Sequence, residues 1–234
     1  MRVIAGRYKS LTLHSFNLPG TRPTTDRIKE AWASSLTSIL TARNSGGANS
    51  MAKAHVLDAF AGSGALGIEL ISRGAASCFF VEKDWRAVKL LKKNVALLHD
   101  RGGKVGNEGS GAQSGRNDHS DRGSNERCSH SLQTMVCASD VCNISWEDYT
   151  VGKTAGFFPL DILIFDPPYD LPSKTLSALL NKINTLQCLS DFAVLSYEHR
   201  RNENKTLDDA FAWHYLYGKN YGDIRIDYYN YESV

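Results

Sequence analysis

The feature that most restricts the fold is a regular alternation, from residue 55 onward, of short apolar segments with amphipathic ones. The apolar segments have the length of strands and lack a polar face, while the segments between them repeat apolar residues at helical spacing. Strands that alternate with helices favour a parallel sheet covered by helices on both faces. The predicted strands span residues 55–60, 77–84, 134–140, 160–166 and 192–199, and the predicted helices span residues 63–73, 85–100 and 172–184.

Two segments outside this alternation complete the predicted architecture. Residues 211–231 contain two strand-like halves around a glycine, which predicts an antiparallel hairpin at the edge of the sheet. Residues 2–16 alternate roughly between apolar and polar, which predicts a small β-hairpin, and a helix with one apolar face follows. We therefore predict an α/β fold with a mostly parallel seven-stranded sheet, an N-terminal extension over residues 1–50 and a main domain over residues 51–234.

The composition is that of a globular cytoplasmic protein. Of the 234 residues, 42% are hydrophobic, and neither an apolar run of about 18 residues nor a signal peptide is visible, so we expect no membrane contact. Five cysteines without a C-x-x-C pair indicate reduced thiols, and their spacing matches no zinc site, so we expect no metal. The net charge of +2 neither requires nor excludes a nucleic-acid partner. A monomer is expected because no apolar surplus requires a partner subunit.

Residues 101–131 interrupt the alternation. This stretch is rich in Gly, Ser, Asn and Arg and almost lacks large apolar residues. Such a composition cannot bury enough apolar surface to offset the entropy lost on ordering. We predict a flexible insertion between the second helix and the third strand of the main domain. Both an inert loop and an arm that contacts RNA remain open for it.

Three glycines after the first predicted strand indicate a site for a nucleoside-bearing cofactor. Gly62, Gly64 and Gly67 follow a strand and open a helix, and Glu82 ends the next strand about twenty residues later. Glycine lets the backbone pass close to a ligand, and an acid at the end of the second strand can accept hydrogen bonds from ribose hydroxyls.

The residues around this loop distinguish two cofactor classes. Asp58 precedes the glycines, and D-x-F-A-G-S-G-x-L-G resembles motif I of the class I methyltransferases rather than a dehydrogenase fingerprint. The resemblance implies a Rossmann-like class I methyltransferase fold with S-adenosylmethionine as cofactor, and Phe60 and Lys83 belong to the expected cofactor site. Asp140 ends the third predicted strand, where contact with the adenine amine and capping of the next helix are equal alternatives. A turn or capping role also stays open for Asp58.

The sequence Asp166-Pro167-Pro168-Tyr169 ends the fourth predicted strand, on the rim where ligands bind in such sheets. An exocyclic amine of a nucleobase is a poor nucleophile because its lone pair is delocalised into the ring. Asp166 and the Pro167 carbonyl are suited to accept hydrogen bonds from the two N–H groups of that amine, and the prolines hold the carbonyl in place. Tyr169 would stack on a base that has left its helix. We predict these four residues as catalytic, with Asp166 also facing the cofactor.

Longer segments resemble one branch of the amino-methyltransferases. They are MRVIAGRYKSLTL, RPTTDRIKEAW, DAFAGSGALGIELISRGA, FVEKD, FDPPY and KNYGDIRIDYY, and they are similar to the RsmD family. Members of this family are bacterial enzymes that methylate the N2 amine of a guanine in small-subunit (16S) ribosomal RNA. The resemblance implies that Arg22, Pro23 and Thr24 help to close the cofactor site and that the N-terminal hairpin contacts RNA. It also implies 16S rRNA or the small ribosomal subunit as partner, although the insertion departs from the compact family pattern.

Basic residues near the predicted rim and hairpins are candidates for contact with RNA phosphates. They are Arg2, Arg7, Lys9, Arg27, Arg200, Arg201 and Lys219. Lys89, Lys92 and Lys93 are instead expected to form the solvated face of a helix.

Two other functions remain open. A DNA adenine or cytosine amino-methyltransferase would share the D-P-P-Y motif, but that group normally carries a target-recognition domain, for which no ordered segment here is long enough. A non-catalytic RNA-binding assembly factor would keep the fold, although Asp166 and the glycine loop are intact in this sequence.

Overall fold

The computed structural model describes residues 1–15, 25–43, 50–104, 132–150, 155–203, 206–207 and 210–233. The helices in these ranges are α1 (Asp26–Arg43), α2 (Ala65–Ser72), α3 (Trp85–Lys104), α4 (Glu147–Thr150) and α5 (Ser173–Thr185). The strands are β1 (His55–Asp58), β2 (Ser77–Glu82), β3 (Gln133–Ala138), β4 (Leu160–Phe165), β5 (Leu189–Arg200), β6 (Trp213–Tyr221) and β7 (Ile224–Tyr231). Short 3₁₀ turns at Ser50–Lys53 and Ala155–Phe157 precede β1 and β4.

The strands form one seven-stranded sheet in the order β3-β2-β1-β4-β5-β7-β6. The first five strands in this order are parallel, and β7 runs antiparallel to both β5 and β6. This arrangement confirms the predicted Rossmann-like fold with an antiparallel C-terminal hairpin. Because the strand order reverses between β1 and β4, the crevice at the carboxyl ends of these strands is the expected place for a ligand.

Two hydrophobic clusters cover the two faces of the sheet. Successive strand residues alternate between them: Val56 and Phe80 belong to one cluster, and Leu57 and Phe79 belong to the other. The first cluster contains residues of α1, α2 and α3, and the second contains residues of α5. Most positions of the central strands are therefore apolar because both faces of the sheet are buried.

The N-terminal segment closes a turn through a single antiparallel bridge between Arg2 and Thr12. The predicted hairpin is therefore present in a minimal form. Val3 and Leu11 are buried in the same cluster as α1 and β1. The N-terminal part of the chain thus shares its core with the sheet, and the predicted division at residue 50 stays a prediction.

A buried ionic network fixes the N-terminal segment to α2. The carboxylate of Glu69 is fully buried and accepts hydrogen bonds from the backbone N–H groups of Ile4 at 2.8 Å and Ala5 at 3.1 Å. The Nε of Arg73 lies 2.9 Å from this carboxylate, and the Nζ of Lys29 lies 3.5 Å from it. Two cations and two amides therefore surround one buried acid, which satisfies its charge inside the core.

Helix α3 continues to Lys104, whereas the sequence predicted a helix end at residue 100 and the start of the insertion at residue 101. Gly102 and Gly103 are weak helix formers, but adding a turn to an existing helix avoids the cost of nucleation. The rest of the predicted insertion, residues 105–131, lies outside the described residues. Within the described ranges, no helix has both the length and the apolarity needed to cross a membrane.

Candidate active site

The loops at the carboxyl ends of the parallel strands enclose a cavity of about 620 Å³. Its lining residues lie at or just beyond the carboxyl ends of β1, β2, β3 and β4 or near the end of β5. They are Ala59, Phe60, Gly62, Val81, Glu82, Lys83, Ser139, Asp140, Val141, Asp166, Pro167, Pro168, Tyr169, Asp170, Glu198 and Arg200. The cavity therefore brings the predicted cofactor loop and the D-P-P-Y sequence together.

The three glycines of the loop have different structural roles. Gly62 has a φ of +52° and open space where a Cβ would stand, and it borders the cavity. Gly64 caps the start of α2 with a φ of +80°, a backbone angle that residues other than glycine rarely adopt. At Gly67 a Cβ would lie 2.4 Å from a ring carbon of Phe80, so glycine allows α2 to pack closely on β2. Gly64, although predicted to bind the cofactor, is not among the described residues that line the cavity.

Glu82 holds the glycine loop in place from the end of β2. One carboxylate oxygen accepts a hydrogen bond from the Gly62 N–H at 2.7 Å, and the other accepts one from the Asp84 N–H at 2.8 Å. These bonds fix the orientation of a carboxylate that also borders the cavity. Each oxygen keeps a lone pair that can accept a hydrogen bond from a ligand hydroxyl.

Asp58 lies beneath the loop rather than in the cavity. Its side chain is buried, and it accepts a hydrogen bond from the Gly67 N–H at 3.0 Å. Burial raises the pKa of Asp58 to about 7, the Gly67 hydrogen bond opposes this rise, and the charges of Asp166 and Glu82 add to it. This geometry matches the turn-capping alternative, and the predicted contact of Asp58 with the cofactor stays a prediction.

Asp140 borders the cavity and also caps the turn that follows β3. Its carboxylate accepts hydrogen bonds from the Cys142 N–H at 3.0 Å and from the Asn143 side-chain amide at 3.2 Å. Both predicted roles are therefore compatible with its position, because a carboxylate that caps a turn still exposes lone pairs to the cavity.

The D-P-P-Y sequence forms one wall of the cavity. Asp166 is the first residue after β4, where Pro167 cannot continue the hydrogen-bond ladder. The Tyr169 hydroxyl donates a hydrogen bond to Glu198 at 3.3 Å, and the Arg200 guanidinium carbon lies 5.0 Å from the centre of the tyrosine ring. Both the hydroxyl and one face of the ring are thus held by side chains of β5.

Glu198 was not predicted from the sequence. β4 and β5 pair Phe165 with Tyr197, so the next residues, Asp166 and Glu198, come side by side on the rim. Acids at the carboxyl ends of parallel strands meet at one edge of the sheet, and the sequence prediction named such acids on the first four strands. Extending it to the fifth strand would have identified Glu198.

The neighbouring carboxyl groups of Asp166 and Glu198 repel each other when both are charged. Burial raises the pKa of Asp166. Burial and the charge of Asp166 raise the pKa of Glu198, and the hydrogen bond from Tyr169 opposes that rise. Burial and the charges of Glu198 and Asp166 raise the pKa of the Tyr169 hydroxyl. A ligand that donates hydrogen bonds to both carboxyl groups would relieve this repulsion.

Two of the predicted RNA contacts lie far from the cavity. The Arg7 N–H donates to the Ser72 carbonyl at 2.7 Å, at the opposite end of α2 from the glycine loop, and Lys9 is exposed in the same turn. Arg200 lines the cavity and covers the ring of Tyr169, and Arg201 follows it as an exposed residue. Of these four basic residues, Arg200 is the one that lines the cavity.

The remaining basic candidates lie on α1, β6 and the N-terminal segment. Arg2 pairs with Asp26 at 2.9 Å, Arg27 is exposed on α1, and the Nζ of Lys219 donates to the Ser35 hydroxyl at 2.8 Å. The predicted RNA contacts are therefore spread over several surfaces and do not form one patch at the cavity.

Three predicted cofactor residues, Arg22, Pro23 and Thr24, lie outside the described residues. Among the residues that are described, no group of three or more His, Cys, Asp or Glu side chains is arranged to hold a metal ion.

Comparisons with known proteins identify the family. The profile of a family described as Conserved hypothetical protein 95 matches residues 1–122. The putative rRNA methyltransferase YlbH of Bacillus subtilis is 32% identical over 201 residues, which cover 86% of this chain and 83% of that protein. Ribosomal RNA small subunit methyltransferase D of Escherichia coli is 36% identical over 107 residues, which cover 46% of this chain and 48% of that protein. This chain belongs to the RsmD family.

The fold agrees with this membership of the RsmD family. A solved structure described as putative methyltransferase yhhF from Escherichia coli aligns with 100% of this chain and 99% of its own, with a TM-score of 0.63 and 24% identity. Membership of the RsmD family and the class I fold make S-adenosylmethionine the cofactor.

The residues of the cavity fit this cofactor. Gly62 leaves open space beside the cavity, and Glu82 and Asp140 present carboxylates at the ends of two neighbouring strands. Carboxylates suit the hydroxyl and amine donors of an adenosine group, and the glycine loop admits a close approach of the ligand.

Proposed function

We propose that this RsmD-family protein transfers the methyl group of S-adenosylmethionine to the exocyclic N2 amine of a guanine in small-subunit ribosomal RNA. The relatives described above are named as rRNA methyltransferases, which supports ribosomal RNA as the substrate class. The observation that carries the proposal is the position of Asp166, Pro167 and Tyr169 on the wall of the same cavity that the glycine loop borders.

The D-P-P-Y wall supplies hydrogen-bond acceptors that make the exocyclic amine more nucleophilic. The Asp166 carboxylate accepts one N–H of the amine and the Pro167 carbonyl accepts the other, which favours a pyramidal nitrogen with a localised lone pair. Because Pro167 and Pro168 have fixed φ angles, this carbonyl does not have to reorganise during the reaction. When bound, S-adenosylmethionine supplies the electrophilic methyl group.

Residues of the same wall also accept the proton that the methylated amine releases and stack on the target guanine. After methylation the amine nitrogen carries one proton too many, and Asp166 is the base placed to take it. Burial raises the pKa of Asp166, which makes it a better proton acceptor than an exposed aspartate. The partly exposed ring of Tyr169 provides a stacking surface for a guanine that has left its helix.

We infer that the active unit is a monomer acting in the cytoplasm on 16S rRNA or on the small ribosomal subunit. The monomer rests on the composition, which shows no surplus of apolar residues that would require a partner subunit. The cytoplasmic location follows from the proposed ribosomal substrate.

The proposal is tested by methyl transfer from labelled S-adenosylmethionine. The acceptors are small ribosomal subunits lacking the modification, naked small-subunit RNA and plasmid DNA, and nucleoside mass spectrometry identifies the product. N2-methylguanine in ribosomal RNA alone supports the proposal. Methylated adenine or cytosine in DNA would show the right chemistry on another substrate. Retained cofactor binding without transfer to any acceptor would favour a non-catalytic assembly factor.

Asp166→Ala tests the mechanism within the same assay. We expect turnover to fall by about 100-fold or more, while the affinity for the cofactor changes by a few-fold, because the lost acceptor acts mainly on the reacting amine. Asp191→Ala is the matched control, since Asp191 is an exposed acid at the opposite end of β5. Near-normal turnover in Asp166→Ala would contradict the mechanism.

A further inference from the structure

The role of Glu198 is not explained by the chemistry of the D-P-P-Y wall. It lines the cavity from β5 and lies beside Asp166, one position beyond the Phe165–Tyr197 pair of the two parallel strands. Residues in register on neighbouring strands are about 4.8 Å apart and point to the same face of the sheet. Two carboxyl groups from two strands thus stand next to each other in the part of the cavity where the base is expected.

The hydrogen bonds of Glu198 leave acceptor capacity directed at a ligand. Among the residues that the structure describes, the Tyr169 hydroxyl at 3.3 Å is the donor to this carboxylate. A carboxylate offers about four acceptor positions, so one hydroxyl leaves most of them unfilled. Glu198 is half-buried at the wall of the cavity, and the N–H groups of a substrate can fill the acceptor positions that face it.

The bases differ in the atom next to their exocyclic amine. In guanine one neighbour of the amine N2 is N1–H, which donates a hydrogen bond, and the other is the acceptor N3, on the far side of the amine. In adenine and cytosine the ring nitrogen next to the amine is an acceptor, whose lone pair is repelled by a carboxylate. Guanine therefore presents three N–H donors to a pair of carboxyl groups, while the other two bases present two donors and an acceptor.

We propose that Glu198 is a specificity-determining residue whose carboxylate accepts the N1–H of the target guanine while Asp166 accepts an N–H of its N2 amine. This assignment rests on the proposed guanine-N2 function and deepens it. Recognition by Glu198 would select guanine through N1–H on its Watson–Crick edge.

The decisive substrate analogue is 2-aminopurine, which keeps the amine at position 2 but has an acceptor in place of N1–H. The assay compares acceptor RNAs that carry either guanine or 2-aminopurine at the methylated position, once mass spectrometry has mapped that position for the wild-type enzyme. We expect kcat/KM of the wild type to favour guanine by about 10- to 100-fold, the worth of one hydrogen bond to a charged group.

Glu198→Gln should abolish this preference, leaving the two RNAs within about three-fold of each other. The glutamine amide can present either its oxygen to N1–H or its NH₂ group to a ring acceptor. Tyr169→Phe is the matched control: it removes the hydroxyl that Glu198 binds but keeps the carboxylate, so the preference for guanine should persist. Loss of the preference in Tyr169→Phe as well would assign Glu198 to positioning the tyrosine ring and overturn the proposal.

Binding gives a readout that does not depend on turnover. The fluorescence of 2-aminopurine reports its stacking in the cavity, and competition with the guanine RNA gives the ratio of the two affinities. We expect that ratio to favour guanine in the wild type and to approach one in Glu198→Gln, even if this variant transfers methyl slowly. An unchanged ratio in Glu198→Gln overturns the proposal. Failure of the wild type to form N2-methylguanine would instead refute the underlying function.

Discussion

The strongest stability prediction concerns Glu69, the buried acid that joins α2 to the N-terminal segment. In Glu69→Leu the amides of Ile4 and Ala5 lose their acceptor, and Lys29, only 1% exposed, loses its anionic partner. Breaking a buried ion pair by removing one partner costs about 3–5 kcal/mol, because an uncompensated charge remains. Arg73 moderates the effect since it keeps Glu30 at 2.5 Å. We expect the free energy of unfolding to fall by about 3–5 kcal/mol.

The cause of this loss can be separated from lost packing. If the stranded charge of Lys29 is responsible, the double variant Lys29→Met/Glu69→Leu should recover at least about 2 kcal/mol relative to the single variant. The loss should also shrink as the pH rises. Burial already lowers the pKa of Lys29 from 10.5, and removing Glu69 removes the charge that opposes this shift. Between the folded and unfolded pKa values the folded state binds fewer protons, so its stability rises with pH.

The assay is urea unfolding followed by far-ultraviolet circular dichroism at several pH values. Hydrogen exchange of the Ile4 and Ala5 amides reports locally on the release of the N-terminal segment. Two results would refute the reasoning. One is a loss below about 1 kcal/mol in Glu69→Leu. The other is simple additivity of the two substitutions, which would show that Lys29 and Glu69 do not depend on each other.

Three further predictions concern the cavity and its support. Gly64→Ala should cost about 1–3 kcal/mol because φ is +80°, and calorimetric titration should show weaker cofactor binding. Gly222→Ala, with a φ of +63° and open space in the β6–β7 turn, should cost stability alone. Tyr169→Ala should reduce turnover more than Tyr169→Phe in steady-state kinetics, because stacking uses the ring. Asp58→Asn should become progressively more stable than the wild type from pH 3.8 to about 7 in urea titrations. In that range the folded wild type binds more protons than its unfolded state, so its stability falls with rising pH.

Several parts of the fold were predictable because they depend on local pattern. The largely apolar strands indicated a sheet buried on both faces, and the observed clusters on both faces confirm it. The antiparallel hairpin was predicted from the two strand-like halves around Gly222. The length of α3 beyond residue 100 was not predictable, because Gly102 and Gly103 disfavour a helix locally and their continuation depends on the helix that precedes them.

The composition of the site depends on register, which the sequence does not reveal. Asp58 pairs with Phe80 and with Ile164, so it lies two residues deeper in the sheet than Glu82 and Asp166. Two strand residues correspond to about 6–7 Å, which is sufficient to place Asp58 under the glycine loop while the other two acids reach the cavity. All of these acids end strands, and an inspection of strand ends cannot distinguish them.

The same register argument accounts for Glu198. Ile164 pairs with Ser196 on β5, so two positions further along the strands Asp166 stands at the level of Glu198. On the other side of β1, Glu82 reaches this level as well. The rim of the cavity is therefore a row of acids at equal depth, one on each of three strands, and the strand that carries each acid decides what it faces. Glu82 stands beside the glycine loop, whereas Asp166 and Glu198 stand beside Tyr169. This division separates the acid beside the glycine loop from two acids beside Tyr169, and it places Glu198 next to the D-P-P-Y sequence, where the proposed guanine would bind.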